Sequence, residues 1–411
     1  MLIHLKIAIR NVLRNKRRTL ITLSAIVFGV VSLMLFGGYM DFSFKGLRES
    51  FIRGQSGHLQ IYKQGYWENK NKDPLKFTIG RDDYDTIRKI IEQEKHIDFA
   101  MRRLEFSGLI SNGENSFIFI GRGIEPAQEN MLGIGTFVQI TEGRTLSDGD
   151  QDGVILGKGL AEQVGIPIGK YLTIMTTTVD GALNAIDVKL TGVFNTGVKD
   201  YDDRALMIPL AASQNLLYTN DVQGIVVVLD KTENTEPVVR NLTKKFGDSN
   251  LHLEIKTWSE LADYYHKVVD IFNGIYGFLK IVIAIIVISS IANTMMMSVF
   301  ERTREIGTIR ALGTKRSGVL NLFILEALTL GVTGGILGLF FGAIACKTVS
   351  AMGLTMPPPP GYSQGYPLGV NIVFPVMVFA FILSVVTSLI SGLFPARKAS
   401  KLEIVDALRH I

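Results

Sequence analysis

From Ile281 to Gly313 the chain reads IVIAIIVISSIANTMMMSVF and then ERTREIGTIRALG. The first twenty residues hold no charge and the next thirteen hold five. A bilayer core of roughly 30 Å is crossed by about 20 mainly apolar helical residues. The first block therefore reads as a membrane span, and the second as the loop that stops it. The span begins near Phe272, with Lys280 at its outer edge. Three further stretches share this character: Leu20–Met40 and Asn371–Phe394, both uncharged, and Leu320–Cys346, interrupted only by Glu326. Four such runs are too many and too long for helices of a soluble core. The first follows a basic start, as a signal peptide would. It is long for one, however, and no A-x-A site follows before Asp41, so it reads as a retained anchor.

Short-loop charge sets the orientation. Lys6, Arg10, Arg14, Lys16, Arg17 and Arg18 precede the first span with no acid among them. Arg302, Arg304, Arg310, Lys315 and Arg316 follow the second, against Glu301 and Glu305. The tail holds Arg397, Lys398, Lys401 and Arg409 against Glu403 and Asp406, whereas Thr348–Val370 is uncharged. Both termini and the 301–319 loop are thus expected in the cytoplasm. The net charge of +5 sits in three membrane-flanking clusters without an aromatic platform, which excludes a nucleic-acid partner.

The expected fold is a membrane α-helical protein with four transmembrane helices, one plus three. A large α+β extracytoplasmic domain is inserted between helices 1 and 2. Residues 1–19 form a basic amphipathic helix in the headgroup plane, with Leu2, Leu5, Ile9 and Val12 along one face. Spans occupy 20–40, 272–300, 320–347 and 371–394. The external domain takes 41–271, the cytoplasmic loop 301–319, the outer loop 348–370 and the tail 395–411. Helical patterns continue past Met40 to about Arg53 and from Trp258 to Lys280, as a rigid two-helix stalk. Within the domain, strands are expected at His58–Tyr62, Ser107–Ile110, Phe117–Ile120, Val188–Val193, Arg204–Pro209 and Gly224–Leu229. The second and third are joined through Asn112-Gly113. Helices are expected at Asp82–Lys95 and Thr235–Phe246, and strand, short helix, turn and strand across Gly153–Ile174. The outer loop contains Pro357-Pro358-Pro359-Pro360-Gly361, a stiff polyproline spacer.

Catalytic signatures are missing. The sequence has no phosphate loop, no H-E-x-x-H, no C-x-x-C and no G-x-S-x-G. The single cysteine, Cys346, allows no internal disulfide, and the six histidines lack ligand spacing. No metal and no cofactor are expected. Glu326, alone within a span, reads as a structural hydrogen-bond partner or as part of a proton relay.

Taken together, several segments resemble the FtsX-like permease superfamily of ATP-binding cassette (ABC) systems. That superfamily includes the lipoprotein-releasing (Lol) permeases, the macrolide-exporter type and the cell-division permease. The resemblance rests on I-R-N-V-L-R-N-K-R-R-T at Ile9–Thr19, G-V-I-L-G-K-G-L-A at Gly153–Ala161, the Glu301–Gly313 loop and F-P-A-R-K-A-S at Phe394–Ser400. S-G-H-L-Q-I at Ser56–Ile61 and the P-P-P-P-G run resemble the Lol-like subgroup most. The resemblance implies two permease chains, identical or paralogous, paired with two copies of a cytoplasmic ABC ATPase, so that this chain is not itself an enzyme. It implies mechanotransmission, with lipoproteins as the cargo in the inner membrane. Glu301, Arg302, Arg304, Glu305, Gly307, Arg310 and Gly313 would then dock on the ATPase. Phe36, Met40, Phe44 and Phe51 would line the path of lipid chains or serve equally as a seam of the stalk, and the Asn112-Gly113 hairpin would meet a periplasmic carrier. The rivals are an efflux permease for macrolides, peptides or toxins, and a signalling permease that activates a cell-wall hydrolase.

Overall fold

The computed structural model describes residues 10, 11, 14, 16–70, 72–133, 138–357, 363 and 365–409. Contacts divide the chain into two units. One comprises residues 1–45, 267–356 and 367–411, the other 46–266 and 357–366. Most of the expected N-terminal amphipathic helix and Pro358–Gly361 lie outside the described residues, although Arg10, Asn11 and Arg14 are helical.

The first helix, α1 (Lys16–Phe51), continues well past the apolar run that predicts it. It ends in a wider π turn, Ile52–Ser56, closed by Gly57 at φ 65°. A side chain at Gly57 would also meet Val226 at 2.4 Å, so this sharp entry into the α+β unit is reserved for glycine.

In the α+β unit the strands are β1 (Leu59–Lys63), β2 (Ile97–Ser111), β3 (Ser116–Ile124), β4 (Gln139–Gly143), β5 (Gly153–Gly157), β6 (Tyr171–Thr177), β7 (Leu183–Asn195), β8 (Ala205–Pro209), β9 (Gly224–Leu229) and β10 (Leu253–Thr257). They join in the order β10-β1-β9-β2-β3-β8-β5-β7-β4, with β6 between β2 and β7. The longer helices are α2 (Arg81–Glu92), α3 (Pro126–Leu132), α4 (Lys158–Val164), α5 (Leu210–Leu217) and α6 (Thr235–Asp248). β9, GIVVVL, is buried along its whole length, as an unbroken apolar run in a central strand should be. α2 places Ile87 and Ile91 one turn apart on its inner side and Asp82 and Asp83 in its first turn, where they favour the helix dipole. The β2–β3 hairpin turns at Asn112-Gly113. Gly113 has φ 93°, and Asn112 Oδ1 accepts the backbone N–H groups of Glu114 and Asn115 at 3.0 and 2.8 Å. From the outer loop, Ser363 N donates to Gly197 O at 2.8 Å, which makes that loop part of this unit.

His58 ties the end of α1 to the sheet. Its Nδ1 accepts Leu229 N–H at 3.1 Å, which leaves the proton on Nε2, 3.2 Å from Thr232 Oγ1. The Thr232 hydroxyl donates in turn to Glu49 at 3.1 Å. Burial, opposed by nearby Glu49 and reinforced by Arg53 and Arg48, pushes the imidazole from 6.5 down to about 4.

The chain then enters α7 (Asp263–Glu301), followed by α8 (Thr303–Ala311), α9 (Arg316–Ala351), α10 (Phe374–Lys401) and α11 (Ile404–Arg409). Among the described residues four helices are long and apolar enough to cross a membrane: α1, α7, α9 and α10. A row of glycines on α9 lets its neighbours approach closely. A Cβ at Gly334 or Gly338 would fall 2.8 or 2.6 Å from Ile26 or Val30 of α1, and one at Gly331 2.6 Å from Ser388 of α10. Such small-residue contact is how helices associate where no water drives them together.

Two outcomes are expected. Gly338→Val forces α1 and α9 apart, and the purified chain loses thermal stability in nanodiscs. For His58, the unfolded chain takes up a proton before the folded one as pH falls. Stability of the α+β unit is therefore full above pH 6.5 and declines toward pH 4 by about 3 kcal/mol. Hydrogen exchange at β9 amides should follow that curve, and His58→Asn should flatten it.

Candidate functional site

The 301–313 segment folds as a bent connection rather than an open loop. Arg302, at φ −110° and ψ 16°, separates α7 from α8. Thr303 Oγ1 reaches back to Val299 O at 3.0 Å, and Gly313, at φ 99°, ends the turn after α8. Thr303, Ile306 and Gly307 form the buried side of α8, with Ile306 in the same apolar cluster as Val319, Phe323 and Ala399. The opposite side presents Arg304, Glu305, Thr308 and Ile309, and then Leu312, which is 82% exposed.

A buried charge network fastens this helix to the bundle. Arg302 is only 8% exposed. Its Nη1 donates to Glu326 Oε1 at 2.8 Å and its Nε to Glu305 Oε2 at 2.9 Å. Asn11 Nδ2 donates to the same Glu326 oxygen at 2.5 Å. Arg14 pairs with Glu305 at 2.9 Å and Arg18 with Glu301. Bonding to Arg302 and then to Arg14 holds the Glu305 carboxyl below its usual range, although partial burial works against this. Arg310 donates to Leu402 O, where α8 packs beside α11.

The seven expected docking residues therefore divide. Arg304, Glu305 and Gly313 are exposed, and Glu301 is exposed while paired with Arg18. Arg302 and Gly307 are buried, and Arg310 is turned toward the tail, so these three hold the helix rather than offer it. The reason for Arg302 is Glu326: an unpaired intramembrane carboxylate is costly, and the nearest cation that can reach it is drawn inward. Ile309 and Leu312 were absent from that expectation. Their signal was present in the sequence as two apolar residues among charges in a short segment between two apolar runs.

The expected lipid-lining residues divide as well. Phe36 stacks on Tyr276 with centroids 5.6 Å apart, and Phe44 meets Phe272 edge-on at 6.1 Å. Met40 is buried. Phe36 and Phe44 thus lie in a seam between α1 and α7, because aromatic side chains on facing helices are more stable packed together than left apart. Phe51 instead lines a 390 Å³ cavity in the α+β unit, with Leu47, Leu261, Tyr264 and Tyr265.

A short helix fastened to a set of membrane-length helices and a separate α+β unit thus stand in one chain. The chain belongs to the family with a MacB-like periplasmic core domain, which matches residues 19–245, and the FtsX-like permease C-terminal family matches residues 277–404. It is an ABC transporter permease of the MacB, LolC and FtsX type. The uncharacterized ABC transporter permease YvrN of Bacillus subtilis is 25% identical over all of both chains. The macrolide export ATP-binding/permease protein MacB of Nitrosomonas europaea is 29% identical over 67% of this chain and 39% of its own. The lipoprotein-releasing system transmembrane protein LolC of Xylella fastidiosa is 22% identical over 74% of this chain and 76% of its own.

Removing one partner of the buried pair leaves the other charge stranded. Arg302→Ala should cost about 3–5 kcal/mol, and the double variant Arg302→Met with Glu326→Leu should recover most of that loss. Thermal unfolding of the purified chain in nanodiscs reads both.

Proposed function

We propose that this chain is the membrane-spanning subunit of an ATP-powered complex in the cytoplasmic (inner) membrane, and that it releases or exports lipoproteins by mechanotransmission. Its spans are arranged one plus three, its termini are cytoplasmic and its α+β domain is outside. Two copies of a separate ATPase subunit hydrolyse ATP, and two permease chains, identical or paralogous, form the membrane part.

The observation that carries this reading is the outward face of α8. Arg304 projects freely there, and Ile309 and Leu312 supply the apolar contact that a groove on a soluble partner would bury. The buried Arg302–Glu326 pair at its base makes α8 a handle on the bundle. A push on it is passed to the spans, and rearrangement of packed helices is a sound carrier of such motion. The open apolar side of α7, with Ile271, Phe278, Ile281 and Ile285 exposed, suits a second permease chain or lipid. The aromatic seam between α1 and α7 is where lipid chains would separate the helices, at the cost of the hydrogen bond that the Tyr276 hydroxyl donates to Leu33 O at 3.2 Å.

A second reading is macrolide export, favoured by the higher identity to the relative named MacB than to the one named LolC. The Ser56–Ile61 segment and the proline run favour lipoproteins. Purification with retained molecules identified by mass spectrometry separates the two, since triacylated lipoproteins support the first reading and their absence beside an outer-membrane duct supports the second.

Arg304→Glu and Leu312→Asp should each weaken capture of the ATPase subunit by about tenfold or more, leaving the thermal stability of the permease unchanged. Intact capture and ATP turnover in both variants would remove the docking assignment.

A further inference from the structure

β2 changes neighbours halfway along its length. Leu104–Ser111 pair with β3 along one edge, and Ile97–Arg103 pair with β9 along the other. After Ile124 the chain leaves β3 for α3, so the β3-side edge of Ile97–Arg103 has no strand beside it. Arg102 marks that edge. Its backbone N–H donates to Glu125 Oε2 at 2.8 Å, at the place where a neighbouring strand would offer a carbonyl. The other carboxylate oxygen of Glu125 holds the Arg102 guanidinium at 2.9 and 2.7 Å. Backbone groups return to the same edge every second residue. The N–H and C=O of Ala100 and the C=O of Arg102 therefore face the same way, and among the described residues no strand is paired with them.

This bare edge opens into a cleft of about 730 Å³, walled on the far side by Tyr84, Asp85 and Arg88 of α2. That volume lies within the usual range for a ligand site. Eight charged side chains line it, five acids and three arginines. Arg88 is paired with Glu92, Arg102 with Glu125, and Glu94 with Lys245 from outside the lining. Asp85 and Asp98 remain against Arg81 alone, so the cleft carries surplus negative charge. Natural sheet edges are usually blocked against pairing. This one is filled by a single carboxylate that a peptide carbonyl can replace.

We propose that the Asp98–Arg102 edge binds an extended polypeptide segment of a partner protein, added as a strand beside β2, with a basic side chain seated against Asp85 and Asp98. The incoming carbonyl takes the Arg102 N–H from Glu125, whose other oxygen keeps the guanidinium in place. The incoming N–H groups meet the carbonyls of Ala100 and Arg102. Main-chain bonding supplies affinity in this mode, and the side-chain contacts supply selectivity.

The test uses the full chain in nanodiscs and the fluorescent octapeptide Lys-Val-Thr-Val-Lys-Val-Thr-Val, read by anisotropy. Two control peptides replace both lysines by glutamate or methylate alternate backbone nitrogens. Saturable binding of the lysine peptide is expected, about tenfold weaker for the glutamate peptide and lost on methylation. Ala100→Pro removes an N–H that points away from β9, so it should abolish binding while β9 hydrogen exchange stays protected. If that variant disturbs β9, Asp98→Lys serves instead, and it should reverse the preference between the two charged peptides. No saturable binding of the lysine peptide, equal binding of the methylated one, or an unchanged charge preference in Asp98→Lys would each overturn the proposal. None of these readouts involves the ATPase, so failure here leaves the coupling assignment standing, and the reverse also holds.

Discussion

The contact between Arg302 and Glu326 decides how this membrane unit is built. Two opposite charges taken out of water repay their desolvation only when geometry is close and the remaining hydrogen-bonding positions are filled. Here the pair is 2.8 Å apart, Asn11 donates to the same carboxylate oxygen, and Glu305 accepts from the guanidinium Nε. The consequence is positional. The junction of α7 and α8, the N-terminal half of α9 and Asn11 are held at one point, and the exposed side of α8 is oriented by what its buried side must satisfy.

The α+β unit relies on a similar economy of polar groups. His58, kept neutral by burial, links β9, the Thr232 turn and Glu49 at the end of α1. A helix that runs without a break from Lys16 to Phe51 is thus hydrogen-bonded to the sheet at its far end. Ser363 brings the outer loop into the same unit. Each of these attachments is a directional bond that a single substitution can cut.

Much of this was legible in the sequence because apolar runs and turn residues report directly on burial. The long helices, the Asn112-Gly113 hairpin, β9 and α6 all fall where periodicity placed them. β2 was seen only in its second half, since Ile97–Arg103 mixes charge with apolar residues and draws its strand character from pairing with β9. β4 and β10 were missed for the same reason, being short and polar and stabilised by neighbours distant in sequence. At the candidate site, sequence supplied the segment but not the direction of each side chain. Arg302 and Arg304 look alike on paper, and only the position of Glu326, twenty-four residues on, separates the anchor from the exposed cation. The aromatic residues at 36 and 44 read on paper as either a lining or a seam, and their partners on α7 make them a seam.

The measurement that bears most directly on the central claim is site-specific photo-crosslinking in the intact membrane complex. A photoreactive residue would be placed in turn at Leu312, Ile309, Phe278 and Gly113. The account predicts crosslinks to a nucleotide-binding subunit from Leu312 and Ile309 and none from Phe278 or Gly113. Crosslinks to that subunit from Gly113, or none from either position on the outward side of α8, would contradict it.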